Sequence, residues 1–367
     1  MRRSSAAPMS CASFPDGESC LRLVRALERV FQLCATTGSG AIAWEKRLRR
    51  AAFINFLEDE APRCLVGMEA CGSAHHWARW LAARGFTVKL MAPKAVRAYR
   101  AGVHKSDRRD ARAVAEATSR SQVAAVRVKS TAAQATQALM RVRERRIRQR
   151  VQTTNQLRGL LNEFGIVLPK GQAVLLARLG EVMASAPFAA LPALVQELVE
   201  RLREEIIEQA DKVKAAEAML VRAVKADAGC RLLMSIPNIG PINAAALSVA
   251  LEAPGVFARG RAFAAYLRLV PRQQASAESS ALHGIGQMRA CEMRSYLVLA
   301  AQSLLIRVNR MKQPPQDRLL IWADRLRRRK TRNVAVVGVA AKLARIAWAV
   351  MAHNQPYRPR SVGAQPV

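Results

Sequence analysis

The first part of the chain alternates short apolar runs with turn residues and a helical period. Apolar runs at residues 30–33 and 42–48 flank a Thr-Thr-Gly-Ser-Gly turn, which predicts a hairpin. Two further runs, at residues 64–68 and 87–91, are separated by a helical pattern from Ser73 to Ala83. A strand, a helix and a strand in this order predict an α/β domain with at least one parallel pair of strands.

From Asp107 onward the apolar positions recur at helical spacing. The longest periodic stretches cover residues 132–164 and 191–224, and glycines and prolines mark turns between them. Two helices of similar length predict an antiparallel helical arm, which can pack within one bundle or form a coiled coil with partner chains. Beyond the arm, a tight turn at residues 236–242 connects two helices, and a further helix is predicted at residues 293–308.

The longest apolar stretch lies near the C-terminus, at residues 334–352. Lys342 and Arg345 interrupt it, so it is predicted to be a buried amphipathic helix and not a membrane span. The charged N-terminus has no apolar segment after it, so no signal peptide is predicted. The seven cysteines include no Cys-x-x-Cys pair, which argues against zinc and a disulfide framework and fits a reducing cytosol.

The charge of the chain indicates the kind of partner that it binds. Its 367 residues carry 59 Lys and Arg against 27 Asp and Glu, a formal net charge of +32. Such a charge favours a polyanion, of which nucleic acid is the commonest, and a membrane surface is the main alternative. Arginine runs at residues 141–150 and 325–332 exceed what neighbouring acids can balance. We therefore expect phosphate contacts that weaken steeply with salt.

Two acidic islands stand out in this basic chain. One carries Glu69 at the end of an apolar strand, and the other carries Asp107 and Asp110 on one helical face. Each acid alone fits a strand end, a helix cap or an ion pair with a neighbouring arginine. Together they can meet at one edge of a sheet, where a divalent cation would neutralise their repulsion. The pattern predicts metal-dependent chemistry on nucleic acid.

Two loops offer weaker candidates. The turn at residues 236–241 is similar to a helix-hairpin-helix, in which Gly240 lets backbone N–H groups approach a phosphate, and a plain helix connection is an equal alternative. Ser276 lies in a polar loop between Arg272 and Arg289, and by spacing alone it is an ordinary loop serine.

Several longer motifs occur in a fixed order along residues 29–352. They are Gly67-Met68-Glu69-Ala70-Cys71-Gly72-Ser73, Lys105-x-Asp107-x-x-Asp110-Ala111, Asn155-Gln156-Leu157-Arg158-Gly159, Ile236-Pro237-x-Ile239-Gly240-Pro241, Leu269-Val270-Pro271-Arg272-Gln273 and Arg327-Arg328-Arg329-Lys330-Thr331. Together they resemble the transposases of the insertion sequence "one-ten" family.

This resemblance implies an α/β RNase H-like (RuvC-like) N-terminal domain with a DEDD carboxylate set, a long helical coiled-coil arm, and a mainly α C-terminal domain with a helix-hairpin-helix-like turn. The expected segments are a disordered or non-native leader at 1–22, the RuvC-like domain at 23–130, the arm at 131–226, the serine transposase domain at 227–310, basic C-terminal helices at 311–354 and a tail at 355–367.

The resemblance also implies the chemistry. Glu69, Asp107 and Asp110 fall on the second, third and fourth acids, which hold Mg²⁺ or Mn²⁺, and Ser276 falls on the nucleophile that forms a phosphoserine. The implied partners are DNA, an element-encoded guide RNA and further copies of the chain in a dimer or tetramer, in the cytoplasm at the nucleoid and not at a membrane. The candidate nucleic-acid-binding residues are Arg141, Arg145, Arg148, Arg158, Gly240, Arg272, Arg328 and Lys330.

The chain departs from the family pattern at two places. Arg25 stands where the family has its first Asp, and the segment 23–28 does not resemble the family strand, which a frameshift or a misassigned start would explain. Ala277-Glu278-Ser279 replaces a Gly-Gly-Lys after the serine, so the loop is stiffer and Glu278 repels a phosphate. We therefore expect weak or absent transposition. The alternatives are a degenerate copy that only binds nucleic acid, and a structure-specific nuclease that uses water and does not need Ser276.

Overall fold

The computed structural model describes residues 20–27, 30–100, 106–275, 280–285 and 292–359. The chain divides into two compact units, residues 1–129 and 130–367.

The N-terminal unit is built around one mixed sheet. Its elements are β1 (Cys20–Leu27), β2 (Val30–Thr36), β3 (Ile42–Arg49), α1 (Arg50–Asn55) with a π-helical turn (Phe56–Glu60), β4 (Leu65–Glu69), α2 (Ala74–Ala82), β5 (Thr87–Met91), α3 (Pro93–Arg97), α4 (Asp107–Ser119) and β6 (Ala125–Val126). The strand order is β3-β2-β1-β4-β5-β6. Strands β1 to β3 pair antiparallel, whereas β4 is parallel to both β1 and β5. The predicted α/β domain with parallel pairing is confirmed.

The first strand differs from the sequence expectation. Residues 20–27 form β1 at the centre of the sheet, with Leu23 opposite Leu33 on one side and Met68 on the other. The boundary expected at residue 23 therefore falls inside a strand. Although the segment 23–28 does not resemble the family strand in sequence, residues 23–27 hold a strand position between β2 and β4.

Different helices cover the two faces of this sheet, as the alternating side chains of β2 show. Phe31 stacks on Phe53 of α1 at 4.0 Å between ring centroids and meets Trp77 of α2 edge-on at 5.1 Å. Cys34 points to the opposite face and is buried with Ala111 of α4. Because successive residues of a strand face opposite sides, helices α1 and α2 cover one face and α4 covers the other.

Helix α4 lies on one face of the sheet and runs across its strands from β3 to β5. Near its start, Arg112 binds Glu45 of β3 at 2.8 Å. At its end, Thr118 touches Gly67 of β4, and the Thr118 carbonyl accepts a hydrogen bond from Lys89 of β5 at 3.0 Å. The strand pairings put Glu45, Gly67 and Lys89 in one row across the sheet. This crossing sets where the acids of α4 lie.

The C-terminal unit begins with the helical arm. It consists of α5 (Thr131–Glu163), α6 (Gln172–Met183), α7 (Ala186–Ala189) and α8 (Ala193–Ala226). The long helices α5 and α8 agree with the predicted stretches to within two residues. They run antiparallel, since Arg143 bonds Glu217 and Thr153, farther along α5, bonds Glu205, which comes earlier in α8. The segment predicted as turns also contains α6 and α7, because its leucines, Leu175 and Leu179 among them, are buried in the core of the arm.

The remaining elements form a second core in this unit. They are α9 (Ala228–Met234), α10 (Pro241–Ala250), α11 (Gly260–Tyr266), β7 (Pro271–Ala275), β8 (Ser280–Ile285), α12 (Glu292–Arg310), α13 (Arg318–Arg329) and α14 (Arg332–His353). By length and composition, α14 would be long enough to cross a membrane. One face of α14, with Val339, Leu343 and Ala347, is buried in this core, as the interrupted apolar pattern predicts.

Candidate active site and nucleic-acid interface

The first acidic position lies at the carboxyl end of the sheet. Glu69 is the last residue of β4 and pairs with Met91 at the end of β5. The chain then turns, with the Cys71 amide donating to the Glu69 carbonyl at 2.8 Å, and enters α2 through Ser73 in a left-handed conformation. The Glu69 side chain is partly exposed. Strand-end placement was the sequence prediction for this residue, and it is confirmed.

The second acidic island opens α4. Ser106 caps the helix by accepting from the Arg109 amide, so the N-cap is this serine and not Asp107. Asp107 is exposed, whereas the Asp110 side chain is 14% exposed and lies 3.6 Å from Arg100. Both carboxylates lie in the first turn of α4, where a negative charge stabilises the helix by its interaction with the helix dipole. The sequence predicted a neighbouring arginine as a partner of Asp110, and the structure provides Arg100, which follows α3.

These three acids are not brought together. All belong to the described residues, and among those residues no three His, Cys, Asp or Glu side chains form a group that could hold a metal ion. The crossing of α4 explains this, because Asp110 precedes Thr118 by eight residues, about 12 Å along the helix from the contact with Gly67 of β4. Asp110 also has a cationic neighbour in Arg100. The carboxylates in this arrangement do not fit a divalent ion.

Residue 25 belongs to the same end of the sheet. It follows Leu23 by two residues in β1, and Leu23 is paired with Met68, the residue before Glu69. Because β1 and β4 are parallel, their carboxyl ends meet at one edge. The position at which the resemblance expects the first Asp therefore adjoins the end of β4 that carries Glu69, and this chain has Arg25 there.

The predicted nucleophile follows strand β7. Ser276 and the three residues after it lie outside the described residues, in the connection between Ala275 of β7 and Ser280 of β8. Arg272 occupies a position in β7 opposite His283 of β8. The sequence did not predict this hairpin, because its strands carry few of the branched and aromatic residues that mark a strand.

Three of the candidate arginines form one exposed face of α5. Arg141, Arg145 and Arg148 are four and three residues apart, are all exposed, and make no ion pair within the part of the chain that the structure describes; we name them the α5 arginine stripe. Residues at this spacing share a helical face. Arg143 is turned instead toward α8, where it binds Glu217 at 2.6 Å. The stripe is thus available for phosphate.

Arg158 has a different role in the structure. Its Nη2 donates to the Pro169 carbonyl at 2.8 Å, and its Nε is enclosed without a partner. This bond ties the end of α5 to the segment that follows it. Arg158 therefore holds the arm together, whether or not it also contacts nucleic acid.

The turn before α10 presents an open backbone. Ile236 and Ile239 are buried in the core, and Asn238 between them adopts a left-handed conformation and donates to Ser303 at 3.1 Å. Gly240 is exposed at the N-cap of α10 with φ of −86°, and a Cβ there would meet nothing within 4 Å. The fold itself does not require glycine, so the side-chain-free position is open to an external group.

Six cations surround the junction of α13 and α14. They are Arg325, Arg327, Arg328, Arg329, Lys330 and Arg332, which we name the α13 basic end. Asp324 binds Arg327 at 2.8 Å and Arg328 at 2.9 Å, and these bonds lower the pKa of Asp324. One carboxylate against six cations leaves a strongly positive surface that favours phosphate.

Comparisons with known proteins show the family of this chain. A model of DEDD transposases of the IS110 type matches residues 28–166, and a model of the transposase IS116/IS110/IS902 family matches residues 230–315. The chain is 38% identical over 333 residues to a Pseudomonas aeruginosa protein described as a probable family 20 transposase, a match that covers 90% of this chain and 96% of the relative. The chain belongs to the IS110 transposase family.

Other relatives of this IS110-family chain are named for their elements. It is 31% identical over 329 residues to the transposase for insertion sequence element IS1111A of Coxiella burnetii, covering 90% of this chain and 88% of the relative. It is 35% identical over 305 residues to the transposase for element IS1328 of Yersinia enterocolitica, covering 83% and 88%. The resemblance stated from the motifs is confirmed.

The two family matches divide the candidate residues between them. The first contains Glu69, Asp107, Asp110 and the α5 arginine stripe, and it begins at residue 28, after β1 and Arg25. The second contains Gly240, Arg272 and Ser276. As an IS110-family transposase, the chain belongs to a class that acts on DNA, with an acidic set that indicates divalent metal use in the family.

Proposed function

We propose that this transposase is a DNA recombinase that binds the ends of its element together with a guide RNA and exchanges strands through Ser276. The observation that carries the proposal is that Glu69, Asp107 and Asp110 lie within one family match and Ser276 lies within the other. The net charge of +32 and the exposed α5 arginine stripe support a nucleic-acid partner.

The N-terminal unit supports an RNase H-like assignment. Three antiparallel strands, β1 to β3, are followed by the parallel strands β4 and β5, and helices cover both faces of the sheet. In such a sheet the carboxyl ends of the parallel strands are the natural place for acidic residues that act on a phosphodiester. Residues 25 and 69 lie at that end.

The strand exchange uses the serine as a temporary phosphate carrier. The Ser276 hydroxyl gives up its proton and attacks the phosphorus of a DNA phosphodiester, which forms a phosphoserine bond. The bond from phosphorus to the leaving oxygen breaks, and that oxygen takes up a proton. A hydroxyl of the exchanged strand then attacks the phosphoserine, releases the serine and closes the new phosphodiester.

The metal requirement of this proposal needs a rearrangement. The Mg²⁺ or Mn²⁺ that the acidic set implies would take carboxylate ligands, and Asp110 would have to exchange Arg100 for the ion. A titration of Mn²⁺ into the full chain, with and without element-end DNA, measures this step. Binding only with DNA present supports a site that the substrate assembles.

A second function is favoured by residue 25. An arginine at the first acidic position removes one ligand and replaces a negative charge with a positive one, which opposes the binding of a cation. A chain that keeps its basic surfaces and lacks this ligand would bind nucleic acid without exchanging strands. The absence of Gly-Gly-Lys after Ser276 supports the same conclusion.

Covalent trapping separates these functions. Element-end DNA with an end label is incubated with guide RNA and the full chain, and the protein–DNA adduct is counted after denaturation. We expect a weak adduct with the natural chain, a stronger one with Arg25→Asp and none with Ser276→Ala. No adduct in either serine-containing chain would refute the recombinase, and DNA cleavage that persists in Ser276→Ala would favour the nuclease that uses water.

Self-association is the remaining part of the proposal. Leu194, Leu198 and Met219 of α8 are 67%, 41% and 52% exposed. Leucines one helical turn apart on an exposed face suit a helical contact with a second copy, in a dimer or tetramer. Sedimentation of the full chain with and without DNA measures the oligomeric state. We expect the oligomer to act on DNA at the nucleoid.

A further inference from the structure

A basic and aromatic cavity lies in the C-terminal unit, outside both family matches. It has a volume of about 710 Å³ and is enclosed by the start of α13, one side of α14 and the segment after α14. Arg318, Lys342 and Arg358 line it together with Trp322 and Tyr357, and none of the described residues that line it is acidic. Pockets of roughly 300–1,000 Å³ are the size that takes small ligands.

The lysine of this cavity, Lys342, has no acidic partner among the described residues. It is half-buried on α14, its ammonium lies 6.0 Å from the centre of the Trp322 ring, and it makes no ion pair or hydrogen bond with the described residues. Burial, with a smaller effect from Arg345, lowers the pKa of Lys342. A partly buried charge without a partner costs free energy, which an anionic ligand would recover.

The other cations of the cavity are equally uncompensated. Arg318 and Arg358 form no ion pair within the described part of the chain. Asp317, which precedes Arg318 in the sequence, is already engaged, because it caps α13 at the Leu319 amide and accepts from the Tyr357 hydroxyl at 2.7 Å.

The tyrosine wall of the cavity is fixed. The Tyr357 hydroxyl donates to Asp317 and the Tyr357 amide donates to the Ser235 hydroxyl at 2.7 Å, so the segment after α14 is held against both α9 and α13. Trp322 faces the same space from α13 and is half-buried. Two aromatic rings held in a cationic hollow suit a flat base on a phosphate backbone, because bases stack on aromatic rings and phosphates bind cations.

We propose that this cavity holds an unpaired nucleotide of a single-stranded nucleic acid, with its base against Trp322 or Tyr357 and its phosphate against Lys342, Arg318 and Arg358. The proposal rests on the proposed function and adds a site to it. Arg318 and Lys330 stand at the two ends of α13, about 18 Å apart, so a strand on the α13 basic end can reach the cavity within about five nucleotides at 3.4 Å spacing.

Binding to short oligonucleotides tests the site. Fluorescence anisotropy of labelled RNA and DNA strands of one sequence, about ten nucleotides long, is compared with duplex DNA on the full chain. We expect Trp322→Ala and Lys342→Met each to weaken single-strand binding about tenfold and duplex binding less than about twofold, since stacking needs an unpaired base. A greater loss with RNA or with DNA identifies the source of the nucleotide.

A matched lysine supplies the control. Lys46 lies over Trp44 at 5.0 Å and over Phe56 at 4.4 Å in the N-terminal unit, and Lys46→Met should leave binding unchanged. Lys342→Met should keep or raise the melting temperature while it weakens binding, whereas a purely structural lysine would lower the melting temperature. If Trp322→Ala does not fold, Trp322→Leu removes the ring and keeps much of the apolar volume.

The outcomes separate this site from the proposed function. Wild-type binding to single strands that is unchanged in both variants overturns the cavity and leaves the recombinase proposal standing. If the wild type binds neither strands nor duplex, the proposed function fails, and calorimetric titration with adenosine monophosphate decides the cavity by itself. Saturable binding that Lys342→Met abolishes supports the site, and no binding overturns it.

Discussion

Gly67→Ala should show how closely α4 depends on the sheet. A Cβ at residue 67 would lie 1.9 Å from the Thr118 Oγ1 and 2.8 and 2.9 Å from its Cγ2 and Cβ. Thr118 is 3% exposed, and its hydroxyl donates to the Val114 carbonyl at 2.6 Å. The threonine has no free space to turn into, so the helix or the strand must move.

The size of this effect follows from the overlap. Non-bonded carbons rest at about 3.5–4.0 Å, so relieving the contact at 2.8 Å requires a shift of roughly 1 Å. Overpacking of this kind costs about 1–3 kcal/mol, and we expect about 3 kcal/mol because three atoms clash at once. For a unit of this size, that lowers the melting temperature by about 10 °C. Circular dichroism during denaturation measures both quantities.

The same motif provides the control. A Cβ at Gly72 would meet nothing within 4 Å, so Gly72→Ala should change the free energy of unfolding by less than about 0.5 kcal/mol. Adding Thr118→Ala to Gly67→Ala should recover part of the loss, because only the contact with Cβ remains. Equal stability of the two glycine variants would refute the close packing of α4 on β4 and the placement of Asp107 and Asp110 that follows from it.

Three further outcomes are expected. Arg112 and Arg108 lower the pKa of the Glu45 carboxyl, so the stability that these ion pairs contribute is present above the pKa of Glu45 in the unfolded chain and is lost as the pH falls through its pKa in the folded chain. Glu45→Gln should therefore lower the free energy of unfolding by about 1 kcal/mol at pH 7. In denaturation curves the variant should lose less stability than the wild type when the pH is lowered. Changing the three residues of the α5 arginine stripe to Gln should reduce the salt slope of duplex DNA binding by about 2.7, against no change for Arg201→Gln, which is paired with Glu197. Burial raises the pKa of Cys230 to about 12, so iodoacetamide at pH 8 should alkylate it far more slowly than Cys71, as peptide mass spectrometry can measure.

The long elements could be predicted because their patterns are local. Helices α5 and α8 and strand β5 agree with the sequence prediction to within two residues, since each has an apolar repeat of clear period. The contacts across the fold were not predictable in the same way. The pairing of Asp110 with Arg100 depends on the path of the chain between α3 and α4, which no local spacing encodes.

The candidate sites were predictable to different degrees for the same reason. Glu69 was placed at a strand end from its flanking residues alone, and the strand is there. Whether Glu69 meets the two acids of α4 depends on how α4 crosses the sheet, which the contact of Thr118 with Gly67 shows and no local pattern encodes. The cavity around Lys342 was missed, although a lysine inside the longest apolar stretch was visible in the sequence and a tryptophan lies in the preceding basic helix.

Strand β1 forms in this transposase although the acidic residue expected in it is absent. Residues 20–24 pair with β2 and residues 21–23 pair with β4, and the pairing with β2 becomes irregular between Val24 and Leu27, where Arg25 replaces the family's acid. Backbone pairing does not need a carboxylate, so a chain can lose this ligand and keep the sheet that positions the others. Residues 21–23 lie between β2 and β4, so this segment contributes a strand to the fold. Because the strand is kept, Arg25→Asp alone should restore part of the strand-exchange chemistry.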